Sequence, residues 1–281
     1  MNLGHPMRRT VRLAAMDGTL GLIESYYDGA PRSAARVEHI GPFTLFVNPG
    51  PGWRYYARPT LGASVFSVSD VQEVCSRQET LGVPQAFEWV RETTPALERA
   101  VRAAGLHVVE HPLLVLEANR MRRVEVPFGF DARLVLPEDD IALIGAVASV
   151  AFDAPGTAIG PEGSQELRVA AARRAADGVE FERQRLRVGT TVMATVFKDG
   201  IPVSVGSHNP VAGVSEIVGV GTLPAFRRRG LGVAVVRLLI DDALRHGNET
   251  IFLSADDAAV ARLYTGMGFR EIATACVAEK P

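Results

Sequence analysis

The eleven residues Thr222-Leu223-Pro224-Ala225-Phe226-Arg227-Arg228-Arg229-Gly230-Leu231-Gly232 constrain this chain more than any others. They join a strand-like run, Ser215 to Thr222, to a long apolar run, Leu231 to Leu244. A basic, glycine-punctuated turn between strand and helix makes an anion site. The first N–H groups of a helix have no partner within it, and the helix dipole favours negative charge at that end. Gly230 and Gly232 let the backbone take dihedrals closed to other residues, or let a ligand approach it. Three arginines add forked donors that suit phosphate oxygens. The segment reads as a pyrophosphate cradle.

A net charge of −2 argues against bulk binding of nucleic acid, which leans on a basic footprint. A local basic turn in a near-neutral chain suits a small anionic ligand instead. Cys75 and Cys276 form neither a metal-spaced cluster nor a disulfide framework. No apolar run is long enough to span a bilayer, and none at the N-terminus resembles a signal peptide. A soluble cytoplasmic protein is expected, with no membrane partner and no metal. A homodimer is left open.

At 281 residues the chain has room for two domains. Its halves share a pattern. Phe87 to Val90, Thr94 to Val101 and Gly105 repeat as Ile251 to Ser254, Asp257 to Tyr264 and Gly268. Each set reads as strand, helix, helix-ending glycine and further strand. The pattern points to an internal duplication. The boundary is expected between Asn119 and Asp131, with Arg120 to Arg123 as a charged connector. The resulting domains are 1–125 and 126–281.

Within the second half, Pro137 to Phe152 reads as a helix and Ala154 to Gly163 as a loop. Gln165 to Arg185 is a charged helix interrupted near Gly178. Val192 to Phe197 and Val203 to Ser207 are strands joined by a hairpin turn at Asp199-Gly200. Gly230 to His246 is a helix ending at Gly247-Asn248, with Arg237, Asp241 and Arg245 as a polar stripe. The fold class is mixed α/β.

These residues resemble the GNAT superfamily of acyl-CoA-dependent N-acyltransferases. Arg227 to Gly232 fits that family's R/Q-x-x-G-x-G/A loop, and Ala261-Arg262-Leu263-Tyr264 with Gly268-Phe269 fits its A-x-L-Y…G-F element. The likeness covers about Asp131 to the C-terminus. The first half resembles a degenerate copy, as in tandem-GNAT proteins. The resemblance implies two GNAT-like mixed sheets flanked by helices, the C-terminal one carrying an acyl-CoA site.

The same resemblance assigns roles. The strand before the loop should splay from its neighbour, so that Val220, Gly221 and Thr222 pair with a pantetheine arm. Gly219 and Gly221 suit a bulge or close ligand approach. The amides of Arg228, Arg229, Gly230, Leu231, Gly232 and Val233 should meet the pyrophosphate. Tyr264 should act as general acid, since a phenol stays protonated at neutral pH and can donate to a departing thiolate. Glu216 opens the cofactor strand and is the candidate base, although a plain strand-end glutamate fits equally well. Phe252 stands where some members carry a glutamate base, which excludes that variant. Asp257 stands where many carry a cofactor-contacting asparagine; an anion there puts the contact in doubt and suits a helix cap. His208 falls on a loop after a strand, where it could reach a substrate cleft, although a solvent-facing loop histidine is the commoner outcome. In the first half, Val101 stands at the place of Tyr264, and Pro49-Gly50-Pro51-Gly52 lacks the N–H donors of a phosphate loop. One active site is expected, with the first half as scaffold.

The function implied is transfer of an acetyl group from acetyl-CoA to a primary amine by direct attack in a ternary complex. The alternatives are a non-catalytic acyl-CoA sensor or scaffold and a nucleotide-binding domain. Retention of Tyr264 beside the phosphate loop disfavours the first. The absence of a G-x-x-x-x-G-K-[ST] loop disfavours a P-loop enzyme for the second.

Overall fold

A computed structural model describes residues 6–48, 50–52, 54–121, 125–154 and 156–281. Arg122 and Arg123 of the expected connector, Pro49 of the first-half glycine segment and Pro155 lie outside them.

The chain forms two compact units, and neither is contiguous. Unit 1 is Met1–Leu114 with Ser254–Ala261 and Glu271–Pro281; unit 2 is Val115–Leu253 with Arg262–Arg270. The sequence-based cut at residue 125 differs from this division, because two C-terminal segments cluster with the first unit.

Unit 1 opens with helix α1 (Pro6–Gly29) and strands β1 (Arg36–Ile40), β2 (Phe43–Val47) and β3 (Ala57–Pro59). Helix α2 (Val68–Thr80), strand β4 (Ala86–Val90), helix α3 (Leu97–Ala103) and strand β5 (His107–Leu116) follow. Its sheet runs β1-β2-β3-β4, then the C-terminal strand β11 (Phe269–Glu279), then β5. Strand β11 pairs antiparallel with β4, Ala275 opposite Val90 and Cys276 opposite Trp89. Phe43, Leu45, Phe87, Trp89, Leu97 and Cys276 share one buried core. Each large side chain there contributes about 1.5–3 kcal/mol by leaving water. Ser67 and Asp70 form a reciprocal capping box that starts α2.

Unit 2 holds strand β6 (Asp131–Leu134) and helices α4 (Ile141–Asp153), α5 (Ser164–Ala172) and α6 (Ala176–Arg187). Strands β7 (Val192–Lys198), β8 (Ile201–Val211) and β9 (Val214–Thr222) precede helix α7 (Leu231–Arg245) and strand β10 (Thr250–Ser254). Helix α8 (Ala258–Thr265) then leads to β11. The sheet order is β10-β9-β8-β7-β6. Helix α4 packs on β8 and β9, and α7 packs on β6 to β9. Glycines mark the close approaches. A Cβ on Gly206 would meet Val235 Cγ1 of α7 at 2.9 Å, and one on Gly221 would meet Ala151 Cβ of α4 at 2.9 Å.

Three expectations need correction. Helix α4 starts at Ile141 rather than Pro137, because the Asp140 carboxylate caps it by accepting from Leu143 N at 3.0 Å. The break in the charged helix falls at Arg173–Ala175, and Gly178 lies inside α6, its N–H donating to Asp177 Oδ1 at 2.8 Å. Strand β8 does not stop at Ser207. It continues to Val211 and turns through Ala212 (φ 49°) and Gly213 (φ 80°). The expected turn at Asp199 (φ 51°) and Gly200 (φ 77°) has the doubly left-handed form that suits two-residue hairpins.

Candidate active site

The site is built where β9 loses its neighbours and α7 begins. Antiparallel pairing of β8 with β9 is regular from Val211–Val214 to Ser207–Val218 and resumes at Val205–Gly221. One residue, Gly206, therefore faces two, Gly219 and Val220. Gly219 has φ 65°, so β9 carries a bulge whose first residue is a left-handed glycine. On the other side, parallel β10 pairs with β9 only at Val214, Ser215 and Glu216. Beyond Glu216 no β10 residue pairs with β9; there Gly221 is buried with its carbonyl accepting from Ser204 Oγ at 2.9 Å, while Val220 and Thr222 are half-buried.

After Thr222 the chain makes a 3-10 turn, Pro224–Phe226, and enters the basic loop. Arg228 (φ 62°) and Gly230 (φ 76°) both take the left-handed region. Gly230 is the N-cap of α7 and makes no side-chain cap. Such backbone reversals turn N–H groups to one side as an anion nest. Arg228, Arg229 and Gly230 are exposed. Among the described residues, the N–H groups of Arg228, Arg229, Gly230, Leu231, Gly232 and Val233 have no hydrogen-bond acceptor, whereas Ala234 N already donates to Gly230 O. The first turn of α7 carries no acidic side chain. Six unpaired donors at the positive end of a fifteen-residue helix fit a diphosphate.

Arg227 differs from its two neighbours. Its guanidinium donates to Thr222 O (3.3 Å), Ala158 O (3.1 Å), Ala151 O (2.8 Å) and Ala154 O (2.7 Å). It ties the end of α4 and the following segment to the end of β9. The cation also sits at a helix C-terminus, where the dipole favours it. The sequence showed three arginines in a row; it did not show that one is an internal clamp.

Tyr264, on α8, is 8% exposed, and its ring meets Phe269 edge-on with centroids 5.8 Å apart. Burial pushes its phenol up to about 12. The hydroxyl has no hydrogen-bond partner among the described residues. Glu216 is half-buried, three residues before the bulge and directly opposite Asn209 of β8. Phe252 is fully buried and pairs across β10 with Glu216.

Asp257 lies in the other unit, and its Oδ1 accepts from Ala259 N (2.7 Å) and Val260 N (2.8 Å). It caps α8, which accounts for an acid in that position.

His208 is not on a loop and does not face solvent. It lies in β8, fully buried, with Nδ1 2.8 Å from Ser215 Oγ and Nε2 3.1 Å from Asp242 Oδ2 of α7. Burial holds its pKa below the ordinary value, against the upward pull of Asp242. With Ser215 and Asp242 also buried, the cluster pins α7 to the sheet rather than meeting a ligand.

Comparison with known families decides what this arrangement belongs to. Residues 165–269 match the family described as Acetyltransferase (GNAT) family. This segment is a GNAT domain. The family is one of acetyltransferases, and acyl-CoA-dependent acetyl transfer is its general chemistry. A GCN5-related N-acetyltransferase from Kribbella flavida superposes with a TM-score of 0.71 at 22% identity, covering 93% of this chain and 95% of that one. A tandem GNAT protein from the clavulanic acid biosynthesis pathway gives 0.55 at 14% identity, covering 85% and 78%. A GCN5-related N-acetyltransferase-like protein from Streptococcus suis 89/1591 gives 0.55 at 14%, covering 95% and 100%. At these identities the shared property is the fold. It extends over both units, not the GNAT domain alone. No curated protein matches the chain at a significant level.

Among the described residues, no helix is long and apolar enough to cross a membrane, and no group of three or more His, Cys, Asp or Glu could hold a metal.

Proposed function

We propose that this chain is an acetyl-CoA-dependent N-acetyltransferase acting on a primary amine. The observation that carries the proposal is the run of six unpaired amides at the start of α7, which follows the bulged stretch of β9 that β10 does not pair with. Arg228 to Val233 would hold the diphosphate through backbone N–H groups. Val220, Gly221 and Thr222 would hold the pantetheine arm along the stretch of β9 that β10 leaves unpaired. Acetyl-CoA would supply the activated thioester carbonyl, which strand N–H groups at the opening would polarise.

Glu216 would accept the proton that the amine loses on attack, directly or through one water. Tyr264 would donate to the sulfur as the carbon–sulfur bond breaks. Its raised pKa keeps the donor protonated at neutral pH. A coenzyme A thiol resembles that of cysteine, with a pKa near ~8.5, so complete transfer from a phenol at about 12 is uphill by about 3.5 pH units. Hydrogen-bond donation to the developing thiolate is thus the main contribution of Tyr264. We assign one active site, in residues 126–281, and a scaffold role to residues 1–125. Val101 stands in the first unit at the place of Tyr264 and is fully buried.

Thiol release from acetyl-CoA with a panel of primary amines tests this reading. Amine-dependent release, lost in Gly230→Asp, is expected. Binding of coenzyme A with no release by any amine, and no effect of Tyr264→Phe, would make the chain a sensor.

A further inference from the structure

A row of hydroxyls runs under the end of β9, and its hydrogens can be counted. Ser204 of β8 is fully buried and directly opposite Thr222, the last residue of β9. Its Oγ donates to Gly221 O at 2.9 Å, an oxygen that can only accept. Ser204 Oγ also lies 2.8 Å from Thr222 Oγ1. A serine hydroxyl has one hydrogen, and the carbonyl has taken it. Thr222 is therefore the donor of the second bond. Thr195 Oγ1, fully buried as well, donates to Ser204 O at 2.9 Å and ties the row to β7.

With its hydrogen spent on Ser204, Thr222 Oγ1 offers a ligand only lone pairs, and it accepts no hydrogen bond among the described residues. Thr222 is half-buried where Ser204 is sealed. It also stands beside the cradle: a Cβ on Gly232 would lie 3.6 Å from Thr222 Oγ1 and 3.8 Å from Val220 Cγ1. The Gly232 N–H is one of the six unpaired amides and suits an anion. The neighbouring Thr222 lone pairs repel a phosphate oxygen and suit an N–H or O–H. Two adjoining groups thus ask opposite chemistry of one ligand. We propose that Ser204 is a positioning residue for the cofactor arm: it makes Thr222 a pure acceptor, which takes an amide N–H or hydroxyl of the arm and marks where the diphosphate ends. The proposal rests on the reading of the α7 start as the diphosphate site.

The test is calorimetry on the full chain with two ligands. One is coenzyme A; the other is the ribose-phosphorylated ADP that coenzyme A leaves when its arm is cut away. Thr222→Val keeps the shape, removes the lone pairs and leaves the arm's donor unpaired. Its coenzyme A affinity should fall about tenfold, with affinity for the arm-free fragment unchanged. Thr222→Ser restores the oxygen and should bring coenzyme A back to within about twofold of the parent. Ser204→Ala frees the Thr222 hydrogen to turn toward the ligand, and should weaken coenzyme A about threefold or more at constant fragment affinity. A parallel fall for both ligands in Ser204→Ala means that Ser204 only packs the sheet. Unchanged coenzyme A affinity in Thr222→Val means that the oxygen meets no donor. Either result overturns the proposal, and the two Thr222 variants decide it alone if Ser204→Ala folds poorly. The underlying reading fails in a different way: the parent chain then binds the arm-free fragment no better than adenosine, and the proposal falls with it.

Discussion

Replacing Arg227 by Gln should damage both stability and cofactor binding. The native guanidinium donates to four carbonyls on three segments, at 2.7, 2.8, 3.1 and 3.3 Å. Charged hydrogen bonds contribute about 1.5–3 kcal/mol net, and the two short ones sit at the C-terminal end of α4, where a cation gains about 0.3–1 kcal/mol more. Glutamine keeps two donors on a shorter stem and can serve one segment at most. Ala158 is exposed, so its carbonyl can turn to water, whereas Ala151 is buried. The expected net loss is about 2–4 kcal/mol by urea denaturation. A second effect follows at the next residue. Arg228 is held at φ 62°, which costs a non-glycine residue about 1–2 kcal/mol. Without the clamp the loop relaxes, and coenzyme A affinity by calorimetry should fall at least about tenfold, or ~1.4 kcal/mol. Stability and affinity both within about 0.5 kcal/mol of the parent would refute the clamp.

Other perturbations separate the remaining terms. Gly230→Ala meets no steric obstacle, since a Cβ there has no neighbour within 4 Å. It should lose only the backbone term, about 1–2 kcal/mol by denaturation, whereas Gly230→Asp should also weaken coenzyme A by about a hundredfold through like charge. Tyr264→Phe should lower turnover at least about tenfold with coenzyme A affinity unchanged, measured by thiol release and calorimetry. His208 has a folded pKa below its unfolded value near ~6.5, so the unfolded state binds more protons in the window between them. Its stabilising contribution is complete above pH ~6.5 and is lost as pH falls through the folded pKa. His208→Gln should be less stable at pH 8 and should flatten that acid-side slope in denaturation midpoints.

Local chemistry made part of this molecule legible before the structure. The Asp199-Gly200 turn, the stop at Gly247-Asn248 and the strand–loop–helix around Gly230 are each fixed by residues within one or two turns of chain. The end of β8 was not, because Asn209-Pro210 reads as a turn. The strand runs through it, with Pro210 opposite Ser215. Burial of His208 depends on Asp242, thirty-four residues away, and no local pattern carries that. The clamp at Arg227 depends on carbonyls some seventy residues earlier. Nor can periodicity tell which strands flank the last one; β11 lies beside β4, where Cys276 and Ala278 complete the core of unit 1. The loop's unpaired amides were readable because they are a backbone property of a helix start. The groups that hold the loop in place are tertiary, and only the fold brings them together.

Backbone gripping of a diphosphate is the most exposed claim, and nitrogen-15 NMR on the full chain addresses it directly. Titration with coenzyme A should shift the amide signals of Arg228 through Val233, while pantetheine, which lacks the diphosphate, should leave them in place. Saturable binding of coenzyme A with those six amides unmoved would contradict the account.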